Sequence, residues 1–136
     1  MPGSRALGSL RVLLAEDNPL NQMVARGILE KRGSQVDTAV YGAEALAAWE
    51  AGDYDLILMN VQMPKMDGYE VTHAIRQSER QLRGRTPIIG LTANAMKGDR
   101  ELCLQAGMDG YVAKPVRSEA LFEEIDRVLS ELRKAR

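Results

Sequence analysis

The chain has little cysteine, histidine or aromatic residue, and no excess of charge of either sign. Its one cysteine, Cys103, excludes an internal disulfide framework and suits a reducing compartment. Lysine and arginine number 18 against 19 aspartates and glutamates, so the formal net charge is −1. With basic residues interspersed among acidic ones, no footprint for nucleic acid or an anionic membrane is present. No apolar run approaches the roughly 20 residues that a membrane span needs. Residues 1–9 lack the apolar core of a signal peptide and read as a tag remnant or linker. These absences predict a cytoplasmic module with no nucleic-acid contact, no membrane contact and no small-molecule cofactor of its own.

The 136 residues, 45% of them hydrophobic, suffice for one domain that buries roughly two thirds of its unfolded surface. Its expected span is 10–133, with 134–136 as a tail. Two short apolar runs, Leu10 to Ala15 and Leu56 to Met59, read as strands buried on both faces, the pattern of a parallel sheet. A weaker strand is predicted at Val36 to Val40, and further strands at Pro87 to Leu91 and Gly110 to Ala113. Asn18 and Pro19 form a helix start, and Leu20, Val24 and Ile28 then recur every four residues. Gly33 ends that helix. Gly42 and Gly52 bracket an alanine-rich helix in which Ala45, Leu46 and Trp49 can face the sheet. Asp67 and Glu70 have capping-box spacing ahead of Val71 and Ile75. The polar stretch Gln77 to Arg85 reads as a connecting loop. A helix through Leu102 and Cys103 stops at Gly107, and Ser118 is the expected cap of a last helix with Leu121, Ile125, Val128 or Leu129, and Leu132 inward. Five strands alternating with five helices predict a three-layer, flavodoxin-like α/β fold with strand order 2-1-3-4-5.

In that order the crevice lies at the C-terminal tips of the first and third strands. Glu16 and Asp17 end the first strand, Asn60 the third, Thr92 the fourth and Lys114 the fifth. The two carboxylates are hard oxygen ligands suited to Mg²⁺. Lys114 can hold a phosphoryl oxygen as a point charge, and Thr92 can donate a hydroxyl hydrogen bond. The set describes a site for a phosphoryl group at the third strand's tip. Met59, Met63 and Met66 read as gap-filling core residues, Cys103 as a small buried hydrophobe and His73 as a surface position.

From about residue 10 to 133 the chain resembles a response-regulator receiver domain of two-component phosphorelays, of the kind carried by hybrid sensor histidine kinases. The resemblance rests on Glu16-Asp17, the stretch Leu56 to Gly68, Thr92-Ala93, and Lys114-Pro115 preceded by Tyr111. It implies that a phosphohistidine on a histidine kinase or histidine phosphotransfer domain donates its phosphoryl group to an aspartate at the position of Asn60. It further implies that Glu16, Asp17, the residue at position 60 and the carbonyl of Gln62 hold Mg²⁺. Thr92 and Lys114 would bind the phosphoryl group, and Thr92 with Tyr111 would form the switch pair. Pro64, Gly68, Ala93 and Pro115 would support the loops. No enzyme activity is implied for this chain itself.

The departure is at the centre. An amide oxygen is a poor nucleophile beside a carboxylate, so Asn60 should block the acyl phosphate. Two explanations stand: an Asp→Asn variant locked in the unphosphorylated state, or a pseudo-receiver that binds a partner independently of phosphorylation. Losing one of three clustered acids should raise stability without metal and weaken Mg²⁺ binding. A metal-dependent phosphatase with an aspartate nucleophile does not match Glu16-Asp17-Asn18-Pro19, and the Ser/Thr/Gly-rich phosphate loop of a flavin site is absent.

Overall fold

The computed structural model describes residues 10–63, 66–82, 85–93 and 97–134. Its elements alternate strictly, as the pattern of buried runs and amphipathic segments dictates: β1 (Arg11–Ala15), α1 (Pro19–Glu30), β2 (Gln35–Ala39), α2 (Gly42–Ala51), β3 (Leu56–Asn60), α3 (Gly68–Leu82), β4 (Ile88–Thr92), α4 (Lys97–Ala106), β5 (Gly110–Ala113) and α5 (Ser118–Lys134). The five strands are parallel in the order β2-β1-β3-β4-β5. This is the flavodoxin-like arrangement expected from the sequence.

Alternation along the strands sends side chains to two separate cores. Val12, Leu14, Leu56, Leu58, Ile89 and Leu91 meet Ala25 and Leu29 of α1 and Leu121, Ile125 and Val128 of α5. On the other face Leu13, Ile57, Met59 and Ile88 meet Ala45 and Trp49 of α2, Val71 and Ile75 of α3, and Cys103 of α4. β3 is buried along its whole length. Truncating one of its leucines to alanine would cost about 2–5 kcal/mol, the transfer loss plus the cavity left behind.

The structure differs from the sequence expectations at three helices. α1 buries Ala25 and Leu29, while Leu20 and Val24 are 64% and 41% exposed. Strict four-residue spacing drifts around the 3.6-residue turn, so only Ile28 of that series packs against the core, and it does so in part. The stretch from Gln77 belongs to α3 as far as Leu82. Its Gln, Ser, Glu and Arg residues are polar but adequate helix formers, and Glu79 turns inward to the partly buried Arg76. In α5, Ser118 is the first helical residue, and Arg117 supplies the carbonyl that accepts the first turn's N–H from Leu121. The predicted caps elsewhere hold. Asn18 accepts from the N–H groups of Leu20 and Asn21, and Asp67 and Glu70 bond reciprocally at 3.0 and 2.9 Å.

Candidate functional site

Strand register assembles the site. Ala15 lies opposite Met59, which sets Glu16 beside Asn60. Asn60 lies opposite Leu91 and Thr92 opposite Ala113, which brings Thr92 and Lys114 to the same end of the sheet.

Asn60 is 4% exposed and its amide is the hub. Its Nδ2 donates toward Glu16 Oε2 at 3.0 Å, Asp17 Oδ1 at 3.0 Å and the carbonyl of Gln62 at 2.8 Å. Its Oδ1 accepts from Lys114 Nζ at 2.8 Å. This orientation alone matches every neighbour, because Lys114 can only donate and the three oxygens can only accept. An NH₂ group has two hydrogens, however, and here it faces three acceptors. Glu16 is fully buried; its Oε2 also accepts the Asn18 N–H at 3.1 Å. Its Oε1 lies 3.0 Å from the Lys114 ammonium as an ion pair but accepts no hydrogen bond of satisfactory angle. The cluster is therefore short of positive charge and of donors.

The supporting residues have specific duties. Gly68 sits so close to the third strand's end that a Cβ there would collide with the carbonyl oxygen of Asn60, and its N–H donates to Val61 O at 2.9 Å. The start of α3 can thus approach the end of β3 this closely only with glycine at 68. Thr92 is buried, and its carbonyl accepts the Lys114 N–H at 2.7 Å. Tyr111 is half-buried against the core formed with α2, α3 and α4. Ala93 and Pro115 are exposed at the rim, and Lys114–Pro115 is a cis peptide. Pro64 lies outside the described residues. Among the described residues no three His, Cys, Asp or Glu side chains cluster as metal ligands. Two carboxylates and one carbonyl nevertheless converge on a single point, a donor set that fits Mg²⁺ with waters completing the shell.

The family described as response regulator receiver domain matches residues 12–126. The chain is a response-regulator receiver domain. Among curated relatives, the receiver is 44% identical over 121 residues to hybrid signal transduction histidine kinase I of Dictyostelium discoideum, covering 85% of this chain and 7% of that protein. It is 41% identical over 116 residues to the sensor histidine kinase GacS of Pseudomonas protegens, covering 85% of this chain and 13% of that protein. The receiver thus spans a small fraction of the length of these relatives.

Two solved structures are informative. The receiver domain of sensor histidine kinase PA1611 from Pseudomonas aeruginosa, with a magnesium ion coordinated in its active-site cleft, is 43% identical with a TM-score of 0.79, over 90% of this chain and 98% of that one. The receiver domain of Ssk1, crystallised with the histidine phosphotransfer protein Ypd1 of Saccharomyces cerevisiae, is 31% identical with a TM-score of 0.81, over 89% of each chain. The fold, the two-component class and the hybrid-kinase likeness inferred from the sequence are those of the receiver family. Reading the sequence missed the Asn18 N–H as a donor to Glu16. The Asn-Pro helix start after the acidic pair was the available signal, since a capping residue presents its own N–H toward the preceding strand tip.

Proposed function

We propose that this chain is the receiver module of a phosphorelay, held unloaded by Asn60. The observation that carries this reading is the Asn60 amide itself, which bonds Lys114 through its one oxygen and the acidic pair through its nitrogen. In a receiver with aspartate at this position, one carboxylate oxygen attacks the phosphorus of a phosphohistidine, the N–P bond breaks, and histidine leaves as the acyl phosphate forms. Lys114, which reaches the position-60 oxygen at 2.8 Å, and Thr92 at the neighbouring strand tip would hold the phosphoryl oxygens. Asn60 has no anionic oxygen to begin that step.

Glu16, Asp17 and the Gln62 carbonyl are the residues that would hold Mg²⁺, which supplies neutralising charge for phosphoryl oxygens. Aspartate could offer one oxygen to the ion and the other to Lys114. Asparagine has a single oxygen for both, and turning it toward the cation points the NH₂ at the Lys114 ammonium, donor against donor. Mg²⁺ binding is therefore weakened. The donor partner is a phosphohistidine-bearing histidine kinase or phosphotransfer domain. α1 leaves the site directly after Asp17 and exposes Leu20, Met23 and Val24, an apolar face beside the pocket that suits docking of a helical donor.

Isothermal titration with Mg²⁺ tests the reading. The Asn60→Asp form should bind about tenfold or more tightly than the parent chain. Equal affinities would remove the argument that the amide competes with the ion. A phosphorylation-independent interaction module is the second reading, favoured by the four neighbours the Asn60 amide bonds through its nitrogen and oxygen. It requires partner binding to be the same before and after Asn60→Asp and loading.

A further inference from the structure

β5 is the last strand of the sheet, with no strand beyond it among the described residues. An edge strand presents unpaired backbone groups, and here two of them are taken by side chains of α5. Glu124 Oε2 accepts the Tyr111 N–H at 3.0 Å, and Arg127 Nη2 donates to the Asp109 carbonyl at 3.1 Å. The two side chains are bonded to each other at 2.8 and 3.0 Å, and Arg127 Nη1 is steadied by Glu131 at 3.0 Å. In a parallel ladder, a residue opposite Gly110 would donate its N–H to the carbonyl of residue 109 and accept from the N–H of residue 111. The ion pair makes those two bonds. Gly110 permits the approach, because a Cβ there would collide with the Glu124 carboxylate.

We propose that Glu124 and Arg127 are a positioning pair that stands in for a sixth strand, fixes the backbone of Tyr111 and ties it to α5. This rests on the reading that Tyr111 responds to the state of the pocket. A change at the pocket that moves Tyr111 then pulls on α5 through a charged hydrogen bond, a directional link that the apolar contacts of its inner face do not supply.

Amide hydrogen exchange by NMR on the full chain tests the pair. Glu124→Ala should speed exchange at Tyr111 about tenfold or more, Glu124→Gln should retain most of the protection through its amide oxygen, and Leu13 and Leu58 should be unaffected as controls for folding. Arg127→Ala, a change at a half-exposed side chain, should give a smaller acceleration at the same amide. In the Asn60→Asp background with Mg²⁺ and beryllofluoride, shifts of the Ser118 to Phe122 amides should be lost on Glu124→Ala while the Val61 shift persists. Unchanged Tyr111 exchange in Glu124→Ala, or persistent α5 shifts, would overturn the proposal. If Val61 fails to shift with the pair intact, the pocket reading fails, and the exchange experiment still decides whether the pair holds Tyr111.

Discussion

Two buried polar clusters sit at opposite ends of the sheet, and they are built on opposite terms. At the N-terminal end of β4 and β5, Arg76 reaches Gly107 O, Glu79, Thr86 O and Asp109 at 2.8–2.9 Å. Both oxygens of Glu79 and both of Asp109 are bonded, with Arg85, the Thr86 N–H and the Ile88 N–H as the other donors. The Thr86 hydroxyl takes the Trp49 indole N–H at 3.0 Å. Every charge there has a partner. At the C-terminal tips, by contrast, three acceptors share one NH₂ and a buried Glu16 oxygen has no hydrogen bond among the described residues. A satisfied network fixes a structure; a deficient one is poised to take something in.

The comparison can be broken most severely at the satisfied end. Arg76→Ala would leave Glu79, under a tenth exposed, with no cation among the described residues and only the Thr86 N–H, and would take one of two arginines from Asp109. It should cost about 3 kcal/mol or more by the mechanism of a broken buried ion pair, read from urea unfolding. Gly68→Ala, which forces the loop away from Asn60, should cost about 1–3 kcal/mol. At the deficient end, Asn60→Asp replaces a donor by a third negative charge. Without metal it should lower stability by about 1–2 kcal/mol, and the loss should reverse as Mg²⁺ is added, because an ion that binds only the folded form stabilises it. The parent chain's melting temperature should respond less to Mg²⁺. A variant equal to or more stable than the parent in chelator would contradict the electrostatic account.

The smallest effect concerns pH. Burial pushes the Glu124 carboxyl up, but the Arg127 hydrogen bond, the Tyr111 N–H and the charges of Arg127 and of Arg100 on α4 outweigh it and hold it below its ordinary value of 4.5. Glu131 faces the same arginine from α5. A depressed carboxyl adds stability that is present above the unfolded value and lost as pH falls through the folded one. Glu124→Gln should therefore flatten part of the stability loss below about pH 4.5, and leave the slope between pH 6 and 8 unchanged.

The same contrast explains what could be read from the chain. The tips were legible because Glu16, Asp17, Asn60, Thr92 and Lys114 each adjoin a short buried run, and parallel topology gathers such residues at one end. The capping box of Asp67 and Glu70 was legible because it is local. The opposite cluster was not, since residues 76, 79, 85, 86 and 109 come from separate segments and each alone looks like a solvated surface residue. Its polarity instead made the end of α3 read as a loop. Arg32 over the Phe122 ring at 4.0 Å escaped notice for the same reason, as the partners lie 90 residues apart.

The most direct measurement is the intact mass of this chain and of its Asn60→Asp form after incubation with Mg²⁺ and a small acyl-phosphate donor. The account expects one added phosphoryl group on the variant and none on the parent, which would leave Asn60 as the sole block in an otherwise complete site. No addition to either, or addition to both, would contradict it.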